Sequence, residues 1–451
     1  MGTAAGLIVT APVPWRMWLA HPFAGTLLDF GENPDPVRLR LPPVRPLSMM
    51  ARLGRTIFFY QGLSGSGRRS CASCHSPAHA YGPPDAGPVM MGGPHLRSPG
   101  ARAVPSLMYL ERQPAFSVGP DNEENETVTL AQLVRRGLAA PRPVKTAHDR
   151  AATALALVPQ GGLFWDGRAD TLQAQTMGPL LNPVEMDNGS VAQAAARLAR
   201  APFAPVMRTL FGPHIFADPT QAVAEAMFAV ARYEIEDPSF HPFSSRFDAW
   251  LQGKARLTPA EMRGYLLFND PAKGDCAACH LDRPTPDGRP PLFTDHQYEA
   301  LGVPRNPALA ANRDPHWYDL GLCGPFRTDL KKDTRYCGMF LTPTLRNVAT
   351  RHAFFHNGIY HSLRQVLDFY DFRDTNPGRI YPRAADGRVL KFNDLPARYR
   401  GNVDRVDPPF NRHLGQKPAL TKSERQDIIA FLKTLTDRPF EPRRLCRAPN
   451  S

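Results

Sequence analysis

Two short strings constrain this chain more than anything else in its 451 residues. CASCH runs from Cys71 to His75, and CAACH from Cys276 to His280. In each, two thiols lie three positions apart, so a single turn carries both, and an imidazole follows at once. That is the pattern of covalent c-type haem attachment. The thiols add to the two vinyl groups and fix the ring edge, which leaves the adjacent histidine beneath the metal as a ligand. Other chemistries use only part of this pattern. A zinc ribbon wants its pairs about 15–20 residues apart, whereas these begin 205 residues apart. A redox dithiol accounts for C-x-x-C but not for a histidine after both copies. Two c-type haems are therefore expected, one on Cys71, Cys74 and His75, the other on Cys276, Cys279 and His280.

The motifs sit in an internal repeat. GRTIF, from Gly54 to Phe58, precedes the first, and GYLLF, from Gly264 to Phe268, precedes the second. Duplication of one haem-binding unit is the simple reading. Thr258, Pro259 and Glu261 form a helix-start signal before the second copy, with threonine as cap and glutamate reaching back, and Thr421 to Glu424 repeats it before the last helix. Ala192 to Leu198 and Gln221 to Tyr233 also read as helices, while strand signals are few and short. The 48 prolines, about twice average usage, argue for many ordered connections. The expected fold is mainly α, with two cytochrome c-like haem domains in tandem and long ordered loops. The boundaries expected are an extension over 1–44, a first haem domain over 45–248, a second over 249–437, and a basic tail over 438–451.

Composition refines this only a little. A hydrophobic fraction of 42% supports globular packing, and no apolar run approaches the roughly 18–20 residues of a membrane helix. The excess of Lys+Arg 54 over Asp+Glu 42 would suit nucleic acid, a membrane surface or an acidic partner, but no nucleic-acid recognition motif accompanies it. Asp121 to Glu126 reads as an acidic surface loop. Haem attachment of this type takes place outside the bacterial cytoplasm, so periplasmic export is expected, although Met1 to Pro14 lacks the basic start of a signal peptide. In such a compartment Cys323 and Cys337, which flank a short loop, are expected to form a disulfide, leaving Cys446 as a spare thiol.

The chain resembles the bacterial diheme cytochrome c peroxidases, a family that includes the MauG-type enzymes, from about Arg45 to Leu435. The resemblance rests on ordered motifs besides the haem sites: Arg102 to Pro105, FWDGR at Phe164 to Arg168, then Leu172, Gln175, Pro179, and NPVEM from Asn182 to Met186. After the second haem motif come LRNV at Leu345 to Val348, FFHNG at Phe354 to Gly358, and SLRQVLDFY ending at Tyr370. The resemblance implies a division of labour, with a peroxidatic haem on His75 and an electron-supplying haem on His280. Glu185 matches the carboxylate that moves the peroxide proton and Gln175 the amide that orients the oxygen atoms, while Trp165 matches a tryptophan between the haems. His95 falls where family peroxidases place a distal ligand that blocks the first iron, with His79, Met90 and Met91 as rivals on the same loop. At the second iron the matching position is Tyr370, tyrosine as in MauG-type enzymes and not the methionine of high-potential peroxidases; Met339 is the alternative. A phenolate ligand would stabilise ferric and higher states, where a thioether favours ferrous iron. The family's calcium site looks weak or absent, because Ala103 stands at its asparagine position and Arg351 at a carbonyl donor.

Three functions compete at this point. The leading one is a periplasmic peroxidase reducing H2O2 to water with electrons from a small cytochrome c or cupredoxin. The second is MauG-type oxidation of a partner protein or organic substrate through a high-valent diheme state. The third is a non-catalytic diheme electron carrier, which Glu185 and Gln175 argue against, since a carrier has no use for an acid and an amide over an iron face. A homodimer is expected from the family's habit.

Overall fold

The computed structural model describes residues 29–120 and 157–438. The acidic segment from Asp121 to Glu126 and Cys446 lie outside them. The fold is helix-rich with little sheet: among the described residues, ten α-helices accompany three two-stranded antiparallel sheets. Every helix anticipated from the sequence forms. Ala192 to Leu198 falls within Val191–Arg200, and Gln221 to Tyr233 within Pro219–Glu236. Thr258 and Thr421 each accept a backbone N–H while Glu261 and Glu424 reach back, so both capping boxes are made.

The internal repeat is a repeat in three dimensions. Helix α1 (Met49–Phe59) crosses α2 (Pro219–Glu236), and α3 (Pro259–Phe268) crosses α4 (Lys422–Lys433). The crossing point is a glycine each time. A Cβ at Gly54 would lie 1.8 Å from the Ala229 carbonyl oxygen, and one at Gly264 would lie 1.9 Å from that of Asp427, so no larger residue lets the backbones meet. Phe58 and Phe268, four residues on, are both buried. Each crossing anchors its own core. The first gathers Leu53, Ile57, Val230 and Tyr233, the second Tyr265, Ile428, Phe431 and Leu435. The cores divide between Phe243, which belongs to the first, and Phe247, which belongs to the second.

The described part of the N-terminal extension packs on the second core, not the first, an arrangement that nothing in the sequence pattern announces. Leu39 is buried there, Val37 N–H donates to the Leu251 carbonyl at 2.8 Å, and the Gly31 carbonyl accepts from Trp250 Nε1 at 3.1 Å. The two halves are sewn together by buried polar contacts. Arg102 binds Asp166 at 2.7 Å and Asp319 at 2.6 Å, Ala103 N–H donates to the His356 carbonyl at 2.8 Å, and Trp165 O accepts from Leu341 N–H at 3.0 Å. Cys323 and Cys337 are joined in a disulfide with Cα atoms 5.0 Å apart; closing a loop this short stabilises by about 3 kcal/mol. Among the described residues no helix is long and apolar enough to cross a membrane.

Candidate functional sites

Both C-x-x-C-H motifs form a single tight turn. Cys71–Cys74 is one α-helical turn, capped reciprocally by Ser70 and Ser73, and Cys276–Ala278 is one 3-10 turn. The four thiols are unbonded. Burial pushes Cys71 and Cys276 up to about 12 and Cys74 to about 11. A dithiol built for redox exchange has its thiolate stabilised, and these have the reverse. Nor do three or more His, Cys, Asp or Glu side chains gather to hold a metal ion among the described residues.

The histidines are set alike. His75 Nδ1 is 3.0 Å from the Tyr81 carbonyl and His280 Nδ1 is 2.9 Å from that of Phe293. A carbonyl only accepts, so each Nδ1 carries the proton and each Nε2 keeps its lone pair for a metal. Burial pushes both imidazoles down to about 4, so they stay neutral, as a ligand must. The surroundings fit haem. Cys276, Cys279 and His280 line a deep cavity with apolar walls, including Phe268, Leu345 and Leu367. Half-buried cations stand ready for anions: Arg351 lines the same cavity and donates from Nη2 to the Val104 carbonyl at 2.8 Å. The buried Nε atoms of Arg69 and Arg283 have no partner among the described residues. Haem propionates are groups of the right charge for such positions.

Tyr370 sits on the helix Leu363–Phe372 and lines this cavity. Its hydroxyl has no hydrogen bond among the described residues, its ring stacks on Phe410 at 5.3 Å, and burial followed by the neighbouring Cys279 and Cys276 raises its pKa. Met339 does not line the cavity. It packs instead against the cluster around the Cys323–Cys337 disulfide, because Gly321 presses on its carbonyl and pins that strand end.

Gln175 and Trp165 line the same cavity, with His79. Gln175 is buried on the helix Leu172–Leu181. Trp165 is fixed between the halves, donating from Nε1 to the Ala103 carbonyl at 2.8 Å. Glu185 follows that helix in a tight turn. Asn182 accepts the Val184 N–H at 3.1 Å through its side-chain oxygen and donates through Nδ2 to Glu185 at 2.7 Å, so one side chain both shapes the turn and aims the carboxylate. Burial raises the Glu185 pKa, against the pull of Arg168 and Asn182, and the carboxylate lies near enough to Cys74 to raise that thiol in turn. A carboxyl shifted this way moves protons more readily near neutral pH than an exposed one.

His95 is not brought into the cavity. Strands β1 (Met91–Gly92) and β2 (Ser98–Pro99) form a hairpin, and its base is pressed on the Glu185 turn. Gly93 N–H donates to the Glu185 carbonyl at 2.9 Å, and a Cβ at Gly92 would lie 2.4 Å from the Val184 oxygen. With the base held there, the tip carrying His95 is exposed. Of its rivals, His79 reaches the cavity, Met90 is buried outside it and Met91 is exposed.

Sequence reasoning missed the carbonyls of Tyr81 and Phe293 and the aiming role of Asn182. It also missed Glu299, which lines the cavity and is pushed up to about 8 by burial and by Asp404, Asp295 and Asp407. None of these carries a local signal except Asn182, whose place in an Asn-Pro turn ahead of Glu185 is an N-cap-like pattern.

Comparison with known proteins agrees with this geometry. A family model described as di-haem cytochrome c peroxidase matches residues 48–256. The methylamine utilization protein MauG of Paracoccus denitrificans is 30% identical over 404 residues, spanning 87% of this chain and 90% of that protein. The cytochrome c551 peroxidase of Nitrosomonas europaea is 25% identical over 88% of this chain and 85% of its own. Among solved structures, the diheme peroxidase BthA from Burkholderia thailandensis superimposes with a TM-score of 0.74 at 35% identity, covering 90% of this chain and 94% of that one. Motif order, twin histidine settings and overall likeness converge: this chain belongs to the diheme cytochrome c peroxidase family, two-haem oxidoreductases acting on hydrogen peroxide, MauG-type enzymes included.

Proposed function

We propose that the chain is a periplasmic peroxidase built from two tandem cytochrome c-like domains, in which electrons from a small cytochrome c or cupredoxin enter at the His280 haem and pass to the His75 haem, where H2O2 is reduced to water. The domain limits we infer follow the expected 45–248 and 249–437 except at the junction, which we set between Phe243 and Phe247 where the two cores divide, with an extension before and a basic tail after. When bound, the haems supply the electrons and the open coordination position that peroxide cleavage requires. The protein supplies the rest. Glu185, deprotonated, takes the proton of the incoming peroxide and returns it to the departing oxygen, and the raised pKa lets it do both. Gln175 presents an amide that orients the oxygen atoms, and Trp165 lies between the haem sites as a π-system for electron transfer.

The observation that carries this reading is the half-buried Glu185 carboxylate, aimed by Asn182, with a pKa raised by desolvation and a charge felt by the Cys74 thiol of the first motif. A second reading, MauG-type oxidation of a partner protein, is favoured by Tyr370, which brings a phenol into the cavity of His280. The test separates them. Hydrogen peroxide is added to the oxidised protein with and without reduced cytochrome c, and visible and EPR spectra are followed. Stoichiometric oxidation of ferrocytochrome c supports the peroxidase. A long-lived oxidised state with negligible cytochrome turnover sinks it and supports the MauG-type reading.

A further inference from the structure

Behind His75 lies a hydrogen-bonded row that none of the chemistry above uses. The Tyr81 carbonyl holds His75 Nδ1. Its phenol oxygen is 2.5 Å from Ser239 Oγ, and Ser239 Oγ in turn donates to Asp237 Oδ1 at 2.6 Å. A serine hydroxyl has one proton, and here it goes to the carboxylate, so Ser239 must accept from Tyr81. Tyr81, its own proton committed, must then accept from Tyr233 at 3.5 Å. The direction is thereby fixed: Tyr233 to Tyr81 to Ser239 to Asp237. The far end reaches the surface, since Ser239 and Asp237 are half-buried while Tyr81 and Tyr233 are buried. The rings are equally ordered. Tyr81 stacks on Phe240 with centroids 3.7 Å apart. Phe58 touches Tyr81, Tyr233 and Phe59, and Phe59 is 44% exposed.

A phenol gives up an electron readily only if its proton leaves with it, because the oxidised phenol is a strong acid. A short relay ending in a carboxylate provides for that transfer. We propose that Tyr81 is a redox-active tyrosine, a site where an oxidising equivalent from the first haem is held as a neutral tyrosyl radical on the way to the surface. The step balances. One electron passes from the Tyr81 ring to the peroxide-oxidised haem site; the phenol proton moves to Ser239 Oγ as the Ser239 proton moves to Asp237. The products are a haem site reduced by one electron, a Tyr81 radical and a protonated Asp237. One electron from the external donor and return of the Asp237 proton restore Tyr81 and Asp237, with the haem site left one electron closer to its resting state. This rests on His75 carrying the first haem.

The test uses the full chain with its haems counted as pyridine haemochrome, treated with H2O2 in the absence of donor. The wild type should show an organic-radical EPR signal whose splitting collapses when the protein is made with ring-deuterated tyrosine, and peptide mass spectrometry should find added oxygen at Tyr81. In Tyr81→Phe, which keeps the stacked ring, the signal should be lost. In Ser239→Ala and Asp237→Asn it should fall by about tenfold, the worth of one buried hydrogen bond to a charged group; these read the same relay should Tyr81→Phe fail to fold. A radical as strong in Tyr81→Phe as in the wild type overturns the proposal, as does the absence of any tyrosyl signal in protein that holds two haems and consumes peroxide. A count of one haem, with Cys71 and Cys74 unmodified by mass, overturns instead the haem reading beneath it, and this proposal with that reading.

Discussion

The two halves share a scaffold and differ in what they place around it. Both cross two helices at a glycine, continue into a buried phenylalanine and a C-x-x-C-H turn, and hold the histidine by a backbone carbonyl at 2.9–3.0 Å. The elements added to that scaffold are not alike. The first half adds the Leu172–Leu181 helix and its terminal turn, which supply Gln175 and Glu185, an amide and a carboxyl. The second adds Leu363–Phe372, which supplies a phenol, Tyr370. The shared scaffold thus presents two alike histidine settings, and the helices packed beside them place a carboxyl and an amide in one half and a phenol in the other.

That comparison is broken most directly by removing one mount. Cys276→Ser with Cys279→Ser should leave a protein holding one haem instead of two, measured by pyridine haemochrome and intact mass, and Cys71→Ser with Cys74→Ser should do the same for the other half. If either double variant loses both haems, the halves are not independent units. Glu185→Gln should slow reaction with peroxide by about 10²–10⁴-fold while both haems remain attached. The sign with pH is definite: as a base Glu185 must be ionised, so the stopped-flow rate should fall as pH drops through a pKa above the ordinary 4.5, and that inflection should vanish in Glu185→Gln. Tyr370→Met should raise the second haem's potential by on the order of a few tenths of a volt and leave the first unchanged, read by spectroelectrochemistry; no shift would remove Tyr370 from the coordination shell. Last, Gly54→Ala and Gly264→Ala should each cost about 1–3 kcal/mol in denaturant unfolding. A large cost at one and none at the other would show the crossings to be less alike than their 1.8 and 1.9 Å clearances suggest.

Legibility in the sequence tracks the range of the interactions. The capping boxes, the repeat and the thiol turns are local, a few residues each, and are readable in full. The disulfide is readable because its loop is short. Gln175 and Trp165 are placed by motif order and do meet Tyr370 around one cavity. His95 is placed by counting along a loop, and counting does not report which way a hairpin tip faces; two glycines pressed on Val184 and Glu185 decide that. The relay from Tyr81 to Asp237 spans more than 150 residues, so nothing in either stretch announces it. The same holds for the ion pairs of Arg102, whose partners are 64 and 217 residues away.

The segment that packs beside Trp250 has a consequence for the order of assembly. Residues 31–40 leave the ribosome well before their partners, which are Trp250, Leu251, Leu257 and Gly288. A Cβ at Gly31 would lie 1.9 Å from the Leu257 oxygen, so the fit is close and no looser register substitutes for it. The segment's docking is therefore a contact of very high sequence separation, the kind that closes a long loop and forms slowly. It works as a latch: once seated, the earliest residues described hold down the half that was made last.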